Sequence, residues 1–190
     1  PRQVHTIAEG VVRRINRRFP KKYEPKDEPG NVTRIDTITG LDMSQGTWLI
    51  LSQAGYQLNP VAADLRSSGY LFNYRGHRSI SEKISEAVNG WEQMRKGKEI
   101  TGDVARKIYS FMSIGDRVKR GFKKLPSLQD DDLVSMADLT DKHGLLATDD
   151  MLWSEAMNKL PETDRAYITA LLRRKEKFNG IPRITASTIH

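Results

Sequence analysis

Apolar residues open the chain at helical spacing: Val4, Ile7, Ala8, Val11, Val12 and Ile15. This predicts an amphipathic helix over residues 2–18. Its arginines fall toward the C-terminal end, where cations complement the helix dipole. Pro20, Pro25, Pro29 and Gly30 then predict a loop. "NVTRIDTI" alternates apolar and polar residues and predicts a strand; the turn-rich "TGLDMSQG" follows. "TWLILS" is a short apolar run between turn signals, the pattern of a buried parallel strand. Asn59-Pro60 marks the start of a helix through "PVAADLRSS", and Gly69 ends it. "YLFNYRG" predicts a further strand, and the β-branched "RITAST" another.

The middle of the chain has a different pattern. From Ser79 to Asn179 it predicts helices and loops without a convincing strand. Ser79 or Ser81 can cap a helix carrying Ile84, Val88, Trp91 and Met94, and Thr101 can cap "GDVARKIYSFM". Thr148 is placed to cap "DDMLWSEAMNKL". Pro161 opens "ETDRAYITALLRRKEKF", which Gly180 should end. Short strands with an intervening helix indicate an α/β fold built on a parallel sheet. The helical block reads as an all-α insertion that interrupts that sheet. There is no internal repeat or low-complexity tract.

Composition narrows the function classes. The 190 residues are 37% hydrophobic and 29% charged, in the globular range. No apolar run reaches the roughly 18 residues of a membrane span, and the opening residues lack the apolar core of a signal peptide. The absence of cysteine excludes disulfides and thiolate chemistry and fits a reducing compartment, so the expected location is cytoplasmic with no membrane partner. The net charge is +7 and the pI near 9.6, which favours a polyanionic partner. The charge is segregated: Arg13, Arg14, Arg17, Arg18, Lys21 and Lys22 form one cluster, and Arg117, Lys119, Arg120, Lys123 and Lys124 another. Asp130, Asp131 and Asp132 follow closely behind the second.

Catalytic signatures are missing. There is no glycine-rich loop followed by Lys-Ser or Lys-Thr and no His-Glu-x-x-His. His5, His77, His143 and His190 are scattered. What remains is binding chemistry. "FNYRGHRS" interleaves Tyr74, Arg75, His77 and Arg78 around Gly76 at a strand end. Ligands of open α/β sheets sit at such ends, where aromatic and guanidinium groups stack bases and contact phosphates. "TASTIH" places Ser187, Thr188 and His190 at another strand end.

These segments resemble a known family. "TWLILSQAGYQLNPVAADLRSSGYLFNYRGHRSISEKISEA" is similar to the second RecA-like motor domain of UvrD/Rep-type superfamily 1 DNA helicases. "PRQVHTIAEGVVRRI" looks like the helix after motif IV, and "RITASTIH" like the first half of motif V. All three segments occur in the family's order. The family inserts a helical accessory domain before motif V, where residues 79–180 lie here in shorter form. The resemblance therefore implies an incomplete second motor domain, residues 1–78 and 181–190, around an accessory domain of residues 79–180. It implies that Thr188 and His190 contact single-stranded DNA and that Tyr74, Arg75, His77 and Arg78 lie near its track. "SIGDRVKRG" resembles the Gly-Ile-Gly loop that touches duplex, followed by Arg117, Lys119 and Arg120 for phosphates.

The implied activity is that of an ATP-dependent 3′–5′ DNA helicase with ATP and Mg2+ in the full-length protein. Its partners would be single-stranded and duplex DNA and the first RecA-like domain of the same chain. The phosphate-loop motifs belong to that first domain, so these residues alone are expected to bind no nucleotide and to be inactive, forming one wall of the ATP cleft. Two other classes stay open: a stand-alone basic nucleic-acid-binding module, and a nucleotide-dependent enzyme of another α/β type, which the missing phosphate loop disfavours.

Overall fold

The structure is a computed structural model and describes residues 1–17, 19, 22–178 and 180–189. Arg18, Pro20, Lys21, Asn179 and His190, all named above, lie outside the described residues. The chain divides into two compact units, Pro1–Gly40 and Leu41–His190.

The first unit holds α1 (Arg2–Val12) and a returning segment. Arg2 N donates to Glu28 O at 2.9 Å, and the Arg2 guanidinium pairs with Asp27. The helix ends well before residue 18. Its last turn tightens, with Arg14 N bonding Val11 O and Ile15 N bonding Val12 O. Gly10 weakens the helix by roughly 1 kcal/mol relative to alanine, and among the described residues only Glu9 pairs with the arginine run, through Arg13 at 3.3 Å. The strand expected at "NVTRIDTI" does not form. Alternation becomes a strand only through backbone pairing with another strand, and this segment pairs with none of the described strands.

The second unit is mixed α/β. Its main sheet runs β1 (Trp48–Ser52), β6 (Ile184–Thr188), β2 (Phe72–Tyr74) and β3 (His77–Arg78), in that spatial order. β1, β6 and β2 are parallel, while β3 is an antiparallel edge. The closing strand of the sequence is thus inserted between the two earlier ones. Ile184 and Ala186 of β6 and Phe72 of β2 are buried. α2 (Leu58–Ser67) packs on this sheet through β6 and is itself backed by α7 (Glu162–Arg173). β1 is parallel as expected but not buried: Leu49 and Leu51 are 64% and 53% exposed. It is an edge strand, and its register puts Leu49 and Leu51 in line with Thr185 and Ser187, on the face opposite Ile184 and Ala186.

The intervening segment packs around Trp91, Ile108, Tyr109, Met112, Leu139 and Met157, all fully buried. α3 (Glu82–Arg95) is capped by Ser81, whose side chain accepts from Ile84 N, and α4 (Gly102–Ser110) by Thr101, accepting from Val104 N. The two helices approach closely at Gly90, where a Cβ would lie 2.3 Å from Val104 Cγ1. The segment is not purely helical. β4 (Ile100–Thr101) and β5 (Leu133–Val134) form a two-stranded antiparallel ladder, too short to show as alternation.

Three further details depart from the sequence pattern. α5 (Met136–His143) was not expected. Its signal is a capping box in which Asp138 N donates to Ser135 Oγ and Ser135 N to the Asp138 carboxylate, both at 3.2 Å, with Gly144 at φ 67° closing the helix. Thr148 caps no helix, because its hydroxyl turns onto Asp150 within the local turn; α6 is short (Trp153–Ala156). Gly180 does not end α7. Lys175, at φ 59°, takes the left-handed closing position, with Glu176 N on Leu171 O and Lys175 N on Leu172 O, both 3.0 Å.

Candidate nucleic-acid interface

Three parallel strands end side by side. Ser52 of β1 pairs with Thr188 of β6, and Tyr74 of β2 with Ala186. The "YLFNYRG" strand stops here rather than continuing through Gly76. Arg75 and Gly76 take φ values of 50° and 85° and turn the chain directly into β3. Two successive positive φ values make a tight hairpin of the type that suits strand twist, and Asn-Gly is its preferred pair. Arginine at the first position carries a left-handed backbone that L-residues rarely adopt. The turn is held by Arg75 N donating to Ala186 O at 2.9 Å.

The Arg75 guanidinium lies back over Gly55: a Cβ there would be 2.9 Å from Nη2. Tyr74 OH hydrogen-bonds Asn59 Oδ1 at 2.7 Å. Between α2 and the hairpin is a groove of about 710 Å³ with Ala62, Ala63 and Phe72 as its apolar part and Arg66, Tyr74, Arg75, His77 and Arg78 around them. The sequence-selected residues of "FNYRGHRS" therefore share one site, with Tyr74 half-buried and Arg75, His77 and Arg78 exposed.

Two of its guanidinium groups serve the fold. Arg78 donates to Phe178 O and, at 3.1 Å, to Gly180 O, fastening the loop that leads into β6. Arg66, not singled out in the sequence, donates to Ser79 O at 2.8 Å and to Asp164 at 2.7 Å, and lies 4.4 Å from the Tyr167 ring centroid. Arg75 is different: the described residues give it no carboxylate partner. Asn59, Ala62, Ala63 and Arg66 are spaced i, i+3, i+4, i+7, one face of a helix. Small residues in the middle of a polar stripe were the available signal for this groove.

Ser187 and Thr188 lie at the same end of the sheet but do not line the groove. Ser187 Oγ donates to Thr188 O at 3.3 Å, and Thr188 is half-buried beside Ser52. The expectation for His190 lies outside the described residues.

Arg117, Lys119 and Arg120 stand elsewhere, on the loop after α4. Arg117 is committed to the loop: Nη1 donates to Asp116 Oδ1 at 2.9 Å and Nε to Glu155 O at 3.2 Å. Lys119 and Arg120 are exposed. Backbone N–H groups of the glycine turn are taken up within the turn itself. Gly115 N bonds Val118 O at 2.7 Å, and Arg117 N bonds Ser113 O at 3.1 Å. Its open feature is Gly115 itself, at φ 88° with nothing near its Cβ position.

Beneath the groove, Tyr167 OH donates to Tyr70 O at 2.7 Å and lies 2.6 Å from Ser79 Oγ. Burial, opposed by the Ser79 hydrogen bond and by Arg66, pushes the Tyr167 phenol up to about 12. Burial also raises Tyr109. A phenol with a raised folded pKa supports the fold fully below its unfolded value near 10, and that support is lost as pH rises through the folded value. Stability should therefore fall between about pH 10 and 12. Tyr167→Phe should flatten this fall in chemical-denaturation curves; an identical alkaline limb would exclude Tyr167 as a cause.

Among the described residues, no three His, Cys, Asp or Glu side chains gather as a metal site, and no helix is long and apolar enough to cross a membrane. Comparison with known proteins finds no matching family model, no matching curated protein and no matching solved structure.

Proposed function

We propose that this chain is the second RecA-like domain and inserted helical domain of an ATP-dependent 3′–5′ DNA helicase of the UvrD/Rep type, and that the α2–hairpin groove lies on its single-stranded DNA track. The observation that carries the reading is Arg75. It occupies a left-handed turn position that asparagine would fill with less strain, at the carboxyl end of a parallel sheet, beside Tyr74 and, among the described residues, without a carboxylate partner. Side chains retained against backbone preference cluster at functional sites. The insertion of β6 between β1 and β2 also supports it, since two of the three segments carrying the family resemblance, the one that holds β1 and β2 and the one that holds β6, then meet in one sheet.

Within this scheme Tyr74 offers an aromatic face for a base, and Arg75 and His77 face the backbone phosphates. Arg66 and Arg78 keep the groove walls in place. Hydrolysis of ATP with Mg2+, held between this domain and the first RecA-like domain of the full-length protein, supplies the energy for movement along the strand. No residue of this chain is assigned to the nucleotide, since it contains no phosphate loop.

The test is fluorescence anisotropy with a single-stranded oligonucleotide across a salt series. Arg75→Asn creates the preferred Asn-Gly turn, so the fold should keep its stability within about 0.5 kcal/mol. Affinity should drop roughly tenfold, the worth of one charge-assisted contact, and the salt slope should flatten by about 0.7. Unchanged affinity and slope would refute the groove. ATP hydrolysis by this chain alone would refute the motor reading, and a full-length protein whose hydrolysis ignores DNA would leave a module that only binds.

A further inference from the structure

A second cleft lies at the other end of the main sheet. The α2–hairpin groove flanks the carboxyl ends of the strands. Ser44 and Gln45 precede β1 and Arg183 precedes β6, so this cleft flanks the amino ends. It has a volume of about 500 Å³, and the closing turn of α7 completes it with Arg174, Lys175 and Glu176. The five residues of β6 separate the two ends by roughly 16 Å, at ~3.3 Å per residue.

Each cation is held in its own way. Arg183 Nη1 donates to Ser44 O at 2.7 Å, which ties the guanidinium to the loop before β1. The Arg174 guanidinium lies 3.9 Å from the Tyr70 ring centroid, and its Nη2 is 3.6 Å from Asp42 Oδ1. Asp42 is already engaged, because the same oxygen accepts from Ser44 N at 3.0 Å and from Tyr70 OH at 3.4 Å. Lys175 sits at φ 59°, in the left-handed position that closes α7. In α2, α3 and α5 that position is glycine: Gly69, Gly97 and Gly144, at φ 71°, 74° and 67°. α7 carries a lysine there instead, a side chain kept against backbone preference. A helix carbonyl end favours nearby cations, but that effect does not bring Arg183, which arrives with another strand.

Three cations and one carboxylate, Glu176, leave the lining with a net charge of +2. Ser44 and Gln45 add a hydroxyl and an amide. Among the described residues, no apolar or aromatic side chain lines the cleft, so it offers no surface to bury a base or an acyl chain. Two guanidinium forks and an ammonium match the oxygens of phosphate groups, and the volume exceeds what a single phosphate fills. We propose that Arg174, Lys175 and Arg183 form a site for a condensed phosphate, pyrophosphate or triphosphate in size, held by its charge and its oxygens. The site shares no residue with the α2–hairpin groove and does not draw on the helicase reading.

Trp48 supplies a local readout, since its indole Nε1 donates to Gln45 O at 2.7 Å. Titration with inorganic pyrophosphate should change tryptophan fluorescence saturably. Trp48→Phe should abolish that signal while calorimetry still registers binding. Asparagine tolerates a left-handed backbone, so Lys175→Asn should not lower the melting temperature. Its affinity for pyrophosphate should drop roughly tenfold, the worth of one charge-assisted contact. Arg75→Asn should leave that affinity within about twofold, because distant sites act independently. Absence of saturable binding overturns the proposal. So does an equal loss in Lys175→Asn and Arg75→Asn, or citrate binding as tightly as pyrophosphate at equal ionic strength. ATP should compete no better than inorganic triphosphate; a clear preference for ATP overturns recognition through phosphate alone. If Lys175→Asn melts lower, Lys175→Gly serves instead: weakened pyrophosphate binding supports the site, and unchanged binding overturns it.

Discussion

Trp91→Ala is expected to destabilise the protein by about 3–5 kcal/mol, the range for deleting a buried tryptophan side chain, and to lower the melting temperature by roughly 10 °C. Trp91 is fully buried in α3, and its indole Nε1 donates to Met151 O at 2.9 Å. One turn later Arg95 Nε donates to Asp149 O at 2.9 Å, so α3 is fastened twice to the turn before α6. Alanine would leave a cavity and an unpaired carbonyl together. Trp91→Phe keeps most of the volume and loses the donor, so it should cost about 1–3 kcal/mol. A loss below about 1 kcal/mol for Trp91→Ala in urea unfolding would mean that the cavity collapses and that α3 is not the centre of this core.

Gly69→Ala carries the second large effect, about 3 kcal/mol from a strained backbone combined with a clash. Gly69 has φ 71°, and a Cβ there would lie 2.4 Å from Ala170 O. That oxygen is backbone within α7 and cannot turn aside as a side chain could. Because α2 and β2 lie on either side of Gly69, displacement should also weaken single-strand binding at the groove. Gly69→Asn separates the causes: asparagine tolerates left-handed φ but carries the same Cβ, so it should be as damaging. Gly76, at φ 85° with nothing near its Cβ position, is the control. Gly76→Asn should cost under about 1 kcal/mol. Equal effects at the two glycines in denaturant titrations would show that conformation, not contact with α7, dominates.

Local signals hold where the forces behind them are local. The bounds of α2, the caps Ser81 and Thr101, and the strand character of Trp48–Ser52 and Ile184–Thr188 follow from neighbouring side chains competing for a few backbone groups. The failures share a cause. "NVTRIDTI" alternates like a strand but pairs with none of the described strands, and Leu49 and Leu51 look buried but lie on the outer side of an edge strand. Pairing and burial depend on what arrives from elsewhere in the chain.

The same division runs through the candidate site. The sequence by itself determined the mixed α/β class, the basic character, and the grouping of Tyr74, Arg75, His77 and Arg78, which are adjacent along the chain. Only the tertiary structure decided which of those cations face solvent. Arg78 reaches carbonyls at Phe178 and Gly180, and Arg66 reaches Asp164, partners about a hundred positions away. The reason is physical. A charge is visible in the sequence, but whether it is paired depends on separations of a few ångströms between segments that only folding brings together.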